Sequence, residues 1–238
     1  MHHVVLEGWT HGASVLHRRD ARAKIVALVA ILIVLATTPS AGNLRMAGYA
    51  VIIVGAVLLA RLPVGSVLGR ACVVLPFSLT FAAMSWIAGD HARAIALVEK
   101  TYLSTIAVLV VAGTTALPAL LKGFESLGVP RVLVAVIQFL YRYLFVISEQ
   151  AQHMRLASVC RAGIRKSGRS TRWRAAAGTL GVLFARSYYR ADGIHRAMLA
   201  RGFNGQLPVA QTASFTVLDA AFAVAVVTSF AIVRVFPY

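Results

Sequence analysis

Residues 68–88, LGRACVVLPFSLTFAAMSWIA, form an apolar run with a single charged residue, Arg70. A transmembrane α-helix needs about 20 mostly apolar residues to cross the hydrocarbon core of a bilayer, which is roughly 30 Å thick. This run has that length and that composition. It therefore predicts a helix that spans a membrane.

Further apolar runs lie on both sides of this segment, at about residues 24–39, 45–61, 100–117 and 213–238. The first two are short for a bilayer, but basic side chains at their ends can snorkel to the interface and extend them. These side chains belong to Arg22, Lys24, Arg45 and Arg61. We predict an all-α polytopic membrane protein with about five spanning helices. Its N-terminal membrane helices lie in residues 1–117 and its C-terminal membrane helix in residues 213–238.

The composition also favours a membrane protein. Of the 238 residues, 59% are hydrophobic and 13% are charged, and the net charge is +16. Soluble domains are closer to about 45–50% apolar. A low charge content of one dominant sign favours a membrane protein with a basic aqueous face. Cys72 and Cys160 form no disulfide framework, and the basic head before the first apolar run does not indicate a cleavable signal peptide.

The distribution of Lys and Arg predicts the orientation. If the N-terminus is cytoplasmic, all but four of the 24 Lys and Arg residues lie on the cytoplasmic side. The four on the outer side are Arg45, Arg93, Lys100 and Arg234. Basic residues prefer the cytoplasmic side of a membrane, so we predict a cytoplasmic N-terminus and an outer C-terminus.

Residues 118–212 predict a separate interfacial and cytoplasmic module. Residues 148–212 contain 11 Lys and Arg against Glu149 and Asp192, so this part is too basic to cross a membrane. In and just before it, two sets of residues recur at alternating steps of four and three, which is typical of helices with a narrow packed face. The sets are Leu140, Leu144, Ile147, Ala151, Met154, Ser158 and Arg161, and Leu180, Phe184, Ser187, Ala191, Ile194, Met198 and Arg201. They predict two long packed helices, each ending at an arginine.

Local signals predict where these helices end. The segment Gly163–Gly168 breaks the first helix, and Ser170 or Thr171 could cap the second. Gly202 predicts a left-handed C-terminal cap, with Phe203 supplying the accompanying hydrophobic contact.

Arg161 and Arg201 are the strongest candidate site residues. One interpretation is that both are solvated or paired locally at helix ends. The other is that the helix tips enter grooves of another protein, because a guanidinium binds carboxylates through two parallel hydrogen bonds. Asp192 and Arg196 lie four residues apart with the acid first, which predicts a local ion pair.

Other polar residues predict little chemistry. No catalytic residue set and no metal-ligand spacing is found, and the free amine with His2 and His3 is either a metal site or part of a disordered tail. Asp219 lies in the last apolar run, where an ionised group is costly. We predict that it pairs with a neighbouring arginine or reaches interfacial water. Asp90 and Glu99 are assigned to an outer loop, and a protein partner is expected in place of nucleic acid.

Three stretches together resemble a known family. They are LPALLKGFESLGVPRVLVAVIQFLYRYLFVISEQAQHMRLASVCRAG at residues 117–163, SYYRADGIHRAMLARGFNG at residues 187–205, and LHRRDARAKIVAL at residues 16–28. Their motifs, order and spacing resemble the transmembrane coupling subunit, or T component, of energy-coupling-factor transporters. The resemblance covers essentially the whole chain.

That resemblance implies a division of labour. Two cytosolic ATP-binding-cassette (ABC) subunits hydrolyse ATP with Mg²⁺, so this chain is expected to bind no cofactor and to lack ATPase activity by itself. The tips of its two long helices dock into grooves on those subunits, where signature arginines pair with acidic residues. A separate substrate-binding subunit, embedded in the same lipid bilayer, captures the cargo and topples as the coupling subunit moves.

The resemblance also assigns the site residues. Ala200, Arg201 and Gly202 match the second signature in full. The first signature, at Arg161, Ala162 and Gly163, is degenerate, because Cys160 stands in place of alanine and Ala162 in place of glycine. The residues expected to support the two helices are Glu149, Arg155, Asp192 and Arg196.

The context RADGIHRAMLARGF around the second signature is most similar to the CbiQ-type cobalt/nickel branch. It implies cobalt (or nickel) uptake, linked to cobalamin biosynthesis, across the bacterial cytoplasmic (inner) membrane. A vitamin-type importer of the same family would use similar helix tips. A stand-alone membrane enzyme or channel with a basic tail is a further alternative, and it would depend on Asp219 as the polar residue inside the spans.

Overall fold

The protein is helical throughout the part of the chain that the structure, a computed structural model, describes. That part comprises residues 12, 14, 16–17, 19–39, 43–162, 168–203, 205 and 216–235. Its α-helices are α1 (Ala21–Thr37), α2 (Asn43–Leu59), α3 (Val64–Ala71), α4 (Leu75–Ile87), α5 (His91–Thr114), α6 (Leu117–Ser126), α7 (Arg131–Ala162), α8 (Arg169–Ala200) and α9 (Val217–Val235). The predicted all-α fold is confirmed.

The chain forms two compact units. The first unit is Met1–Gly128 with Thr212–Tyr238, and the second unit is Val129–Gln211. We predicted that the module begins at residue 118, whereas α6 belongs to the first unit because it packs closely against α1. A Cβ atom at Gly123 of α6 would lie 2.8 Å from Ile25 Cδ1 and 3.4 Å from Ala21 Cβ.

Several helices are long and apolar enough to cross a membrane. They are the segments Val64–Ile87, His91–Thr114, Arg131–Arg161 and Val217–Val235, and a shorter apolar helix covers Arg45–Leu59. The first unit exposes large apolar side chains such as Val73, Phe77 and Ile87, as a lipid-facing surface must. The chain is therefore a multi-pass membrane protein.

Two predicted segments need correction. The run at 100–117 is the second half of α5, which begins at His91 because Asp90 Oδ1 accepts a hydrogen bond from the Arg93 backbone N–H at 3.0 Å. Glu99 therefore lies inside a helix and not in an outer loop. The N-terminal part of α7 also has the hydropathy of a span, although we placed it wholly outside the predicted spans.

The Val64–Ile87 segment is interrupted near its middle. A 3₁₀ turn at Cys72–Val74 joins α3 to α4, and Pro76 lies in the first turn of α4. Proline lacks a backbone N–H and its ring clashes with the preceding helical turn, so a helix is locally distorted there.

An aromatic stack forms the centre of the first unit. The rings of Tyr49 in α2 and Phe230 in α9 are stacked at a centroid distance of 5.3 Å, and both side chains are fully buried. Gly48 permits this approach, because a Cβ atom there would lie 3.0 Å from Val233 Cγ1. Leu35, Ile106 and Val67 extend the same core.

Side chains from neighbouring helices bind the helix ends of this unit. Lys24 Nζ in α1 donates to Thr114 O and Thr115 Oγ1 at the C-terminal end of α5, at 3.0 Å each. Reciprocally, Lys100 Nζ in α5 donates to Thr38 O at the C-terminal end of α1, at 2.5 Å. The last carbonyls of a helix lack intrahelical partners and carry partial negative charge. In the antiparallel pair of α1 and α5, a lysine from each helix thus binds the C-terminal carbonyl groups of the other.

Helix α9 runs parallel to α1. Arg234 Nη1 donates to Thr37 Oγ1 at 2.8 Å at their C-terminal ends, and Asp219 lies 3.8 Å from Arg19 Nη1 at their N-terminal ends. The prediction that Asp219 pairs with a neighbouring arginine is confirmed.

Replacement of Phe230 by alanine should destabilise the first unit by about 3–5 kcal/mol, because it leaves a cavity against Tyr49. The thermal unfolding midpoint in detergent measures this. Ile232→Ala is the matched control, since Ile232 lies on the same helix and is 55% exposed. Equal losses in the two variants would contradict the assigned core.

Candidate functional site

Helices α7 and α8 form an antiparallel pair in the second unit. The N-terminal half of α7 and the C-terminal half of α8 line one groove. The C-terminal half of α7 and the middle of α8 line a second, separate cleft. Later residues of α7 therefore face earlier residues of α8, so the two helices run in opposite directions.

The first opening is an apolar groove of about 520 Å³. It is lined by Phe139, Leu140, Tyr143, Ile147, Ser187, Arg190, Ala191, Ile194, His195, Met198 and Phe203. Six of the residues predicted to pack the two helices together line this groove. The aromatic rings of Phe139 and Tyr143 stack along its α7 side at a centroid distance of 6.4 Å.

The predicted helix–helix packing is wrong over part of its length. Leu180 is 65% exposed and Phe184 is 75% exposed, although both belong to the predicted packed face of α8. Heptad-like spacing places these side chains on one side of a helix, but it does not determine which surface covers that side. In the second unit, this part of the face remains open.

The second opening is a basic cleft of about 720 Å³. Its charged residues are Glu149, Arg161, Arg186 and Arg190, and His153 lies among them. Within the described part of the chain, these three arginines form no ion pair with a carboxylate. The cleft therefore has an excess of positive charge. Glu149 and Arg161 were among the predicted site residues, whereas His153, Arg186 and Arg190 were not.

Arg161 lies in the last turn of α7 and lines the basic cleft. Its side chain is exposed. Helix α7 ends at Ala162, and Gly163 lies outside the described residues. The structure thus places the first predicted arginine at a helix end, as expected, without describing the whole signature.

Arg201 lies at a firmly terminated helix end. It is the C-cap residue of α8, and Gly202 follows with φ +78°, in the left-handed region that glycine adopts without strain. The Phe203 N–H donates to Met198 O at 3.0 Å and the Gly202 N–H to Leu199 O at 2.9 Å, which is the Schellman pattern. The predicted glycine cap is confirmed.

The hydrophobic contact of this cap is formed at the apolar groove. Phe203 and Met198, the two positions that usually touch in a Schellman motif, both line it. Ala200 and Arg201 are exposed, and among the described residues the Arg201 guanidinium has no carboxylate partner. A fixed backbone thus carries an unneutralised guanidinium.

The two arginines are far apart. Arg161 lines the same cleft as Thr179, and Arg201 follows Thr179 by about 22 residues along α8. A helix rises about 1.5 Å per residue, so the separation along the helix is roughly 33 Å. Arg161 and Arg201 therefore form two contact points and not one composite site.

The four supporting residues do not form a cluster. Asp192 and Arg196 form the predicted ion pair, with Oδ2 and Nη2 2.8 Å apart. Such an exposed pair contributes only about 0.3–0.5 kcal/mol. Glu149 lines the basic cleft, whereas Arg155 is exposed on α7 and lines neither opening.

The start of α8 differs from the prediction. Its N-cap is Gly168, without a side-chain cap, and the helix begins at Arg169. Ser170 and Thr171 lie within the first turn and do not occupy the cap position. His2 and His3 lie outside the described residues. Where the structure describes the chain, no group of three or more His, Cys, Asp or Glu is placed to hold a metal ion.

Comparison with known proteins gives a family match over most of the chain. The model of the family described as "CbiQ: Cobalt transport protein" matches residues 12–212. That range contains both arginine-bearing helix ends.

Three relatives match more locally. The cobalt transport protein CbiQ of Rhodobacter capsulatus is 30% identical over 122 residues, which is 51% of this chain and 49% of the relative. Two uncharacterised proteins of Methanocaldococcus jannaschii are each 29% identical, over 101 and 105 residues, or 42% and 44% of this chain. The aligned parts cover 34% and 38% of those two relatives. The chain thus spans about a third to a half of the length of the relatives it matches.

Gly202→Ala should destabilise the end of α8 by about 1–2 kcal/mol, because an L-residue is strained in the left-handed region. Hydrogen exchange of the last turn of α8, together with thermal unfolding, measures this effect. Gly193→Ala is the matched control, because Gly193 lies within α8 and, like Gly202, has open space where an alanine methyl group would lie. It should stabilise the helix by about 0.5–1 kcal/mol. The same sign in both variants would contradict the cap assignment.

Proposed function

Because this chain belongs to the CbiQ family of cobalt transport proteins, we propose that it is the energy-coupling membrane subunit of an ATP-driven importer. In this role it carries the movements of two ABC ATPase subunits to a separate substrate-binding membrane subunit. The family match supports a transporter component, and we expect this chain to have no ATPase activity by itself. ATP and Mg²⁺ belong to the partner subunits in this proposal.

The geometry of Arg201 is the observation that carries the proposal. Its backbone is fixed by the Schellman hydrogen bonds, while its guanidinium is exposed and has no carboxylate partner among the described residues. Because the backbone is already ordered, only side-chain freedom is lost when Arg201 binds, and the planar fork of its guanidinium matches a carboxylate. An acidic groove on a partner protein is the complementary surface.

Two partners fit better than one. Arg161 and Arg201 lie at different ends of the antiparallel helix pair, roughly 33 Å apart along α8. Two similar ATPase subunits, each with an acidic groove, would each meet one helix end. Ala162, Gly163, Ala200 and Gly202 then serve as the small residues beside each arginine that allow the partner surface to approach closely.

Cobalt is the proposed cargo, and nickel is the alternative metal ion. The family description and the Rhodobacter capsulatus relative both name cobalt transport. The metal ion is cargo in this proposal, and the separate substrate-binding subunit would capture it. A vitamin-type importer of the same architecture is the alternative, which uptake measurements distinguish directly.

The proposed membrane is the bacterial cytoplasmic (inner) membrane, with a cytoplasmic N-terminus and an outer C-terminus. Lys100 and Arg234 bind Thr38 and Thr37 at one end of the helix bundle. Arg19, Arg22 and Lys24 lie near the start of α1, at the opposite end. In this proposal the end with Lys100 and Arg234 is the outer one. The opposite end is cytoplasmic, because the chain segments that leave it carry most of the Lys and Arg residues.

The stand-alone enzyme or channel loses its main support. That alternative depended on Asp219 as a polar residue available inside the spans. Both carboxylate oxygens of Asp219 accept hydrogen bonds, from Thr216 and from the Asp20 backbone N–H. The hydrogen bonds of this carboxylate are therefore made within the fold.

Charge reversal at both helix ends tests the proposal. Arg161→Glu/Arg201→Glu should still insert in the membrane but lose the ATPase subunits on purification, since each carboxylate would face an acidic groove. Cobalt uptake should fall to background in the same cells. Single reversals should be milder, with Arg201→Glu the more severe.

Arg174→Glu is the matched control, because Arg174 is an exposed arginine within α8 that lines neither the basic cleft nor the apolar groove. It should keep the ATPase subunits bound. Normal assembly and uptake in the double variant would contradict the proposal, and so would ATP hydrolysis by the purified chain alone.

A further inference from the structure

Three contacts converge on residues 19–25 at the start of α1, a segment that we call the α1 anchor. They come from the first turn of α9, from the C-terminal end of α5 and from α6. These elements are distant in sequence, since Asp20 and Asp219 are separated by 199 positions. Their convergence on one helix end needs a physical explanation.

The contact from α9 is made by a buried carboxylate. Asp219 is 5% exposed, and its Oδ2 accepts hydrogen bonds from the Thr216 N–H at 3.1 Å and the Thr216 hydroxyl at 2.5 Å. Its Oδ1 accepts from the Asp20 N–H at 3.2 Å. Asp20 is itself the N-cap of α1. One carboxylate therefore joins the N-terminal ends of two parallel helices, where the helix dipoles favour negative charge.

The other two contacts follow within the next turn. Lys24 is 3% exposed and binds the last carbonyl of α5 through its ammonium group. Helix α6 begins three residues after that carbonyl and meets α1 at Gly123, next to Ala21 and Ile25. The end of α5 and the part of α6 around Gly123 thus both contact the same segment.

The chain connectivity relates these contacts to the second unit. Helix α6 is the last helix before the second unit begins at Val129, and α9 is the first described helix after that unit ends at Gln211. Both covalent connections between the units therefore start from elements that are fastened to residues 19–25. Since α1 is also bonded to α5 and α9 at its far end, a force on the anchor acts on all three helices.

We propose that the α1 anchor is the mechanical attachment through which movements of the second unit act on the membrane helices of the first. Arg19, Lys24, Gly123 and Asp219 are then positioning residues for transport, not residues that touch ATP or cargo. This inference rests on the proposed coupling function. It predicts that loosening the anchor uncouples ATP hydrolysis from uptake without dismantling the complex.

The first test removes the carboxylate. In the complete complex reconstituted in vesicles, Asp219→Ala should retain the ATPase subunits and hydrolyse ATP. Coupling between sites typically changes an equilibrium by about 5- to 150-fold, so Co²⁺ uptake per ATP hydrolysed should fall about tenfold. A purely structural role would lower both activities together and leave their ratio unchanged.

Asp90→Ala is the matched control for this test. Asp90 caps α5 through the Arg93 N–H, so its loss also removes a helix cap of the first unit, but it lies outside the anchor. Its ratio of Co²⁺ to ATP should stay at the wild-type value. An unchanged ratio in Asp219→Ala would overturn the proposal.

A reversible cross-link keeps the proposal testable if Asp219→Ala fails to fold. Cβ atoms at positions 21 and 123 would be 3.4 Å apart, close to the roughly 3.5–4.5 Å found in disulfides. Ala21→Cys/Gly123→Cys, with Cys72→Ser and Cys160→Ser, should therefore form a disulfide on oxidation. The variant's ratio of Co²⁺ to ATP should be the same before and after oxidation, because the attachment stays closed throughout the cycle.

The opposite result would overturn the proposal. If oxidation abolishes uptake and a reductant restores it, the contact between α1 and α6 opens during transport and is not a fixed attachment. Gly123→Leu gives the complementary perturbation, because its side chain must displace Ile25 and Ala21. It should lower the ratio about tenfold.

Failure of the function and failure of the anchor are distinguishable. The coupling function fails if the wild-type complex contains no ATPase subunits, or if Arg161→Glu/Arg201→Glu assembles normally. The anchor fails if the complex assembles and hydrolyses ATP but Asp219→Ala, or Gly123→Leu where Asp219→Ala does not fold, keeps the wild-type ratio of Co²⁺ to ATP.

Discussion

Helix ends that are buried in a membrane protein must satisfy their backbone groups with protein partners, because neither lipid nor apolar side chains offer hydrogen bonds. The first unit meets this constraint with side chains from neighbouring helices. Lys24 and Lys100 bind the carbonyl ends of each other's helices, and Asp219 joins the N-terminal ends of α1 and α9. These pairings determine which helices run parallel and which run antiparallel. The buried Tyr49–Phe230 stack is assembled within the frame that they create.

The second unit differs in that it presents arginine side chains whose charge no carboxylate among the described residues neutralises. Arg201 lies just before the left-handed glycine of a Schellman motif, so the backbone beneath it is rigid while its side chain stays exposed. The basic cleft keeps Arg161 and two further arginines without carboxylate partners among the described residues. Unpaired surface charge adds little to folding stability, which is consistent with a role in binding.

The second unit also leaves apolar side chains uncovered. Leu180 and Phe184 are largely exposed, although their spacing is that of a packed helix face. In a family whose members transport cobalt, and for a chain proposed to work between ATPase and substrate-binding subunits, such surface suits contacts with other chains. The first unit has a buried core around Tyr49 and Phe230, whereas Leu180 and Phe184 leave part of a helix face of the second unit uncovered.

The sequence by itself determined the all-α membrane class, most of the apolar spans, the Asp192–Arg196 pair and the glycine stop after Arg201. Each of these follows from local composition or from spacing within a few residues. Tertiary structure decided that α5 begins at His91, that α6 packs with the membrane helices, and that Arg161 and Arg201 lie far apart. It also revealed how Asp219 and Lys24 converge on the start of α1. Those features depend on contacts between residues up to 199 positions apart, and no local pattern encodes which distant partner will bind a buried charge.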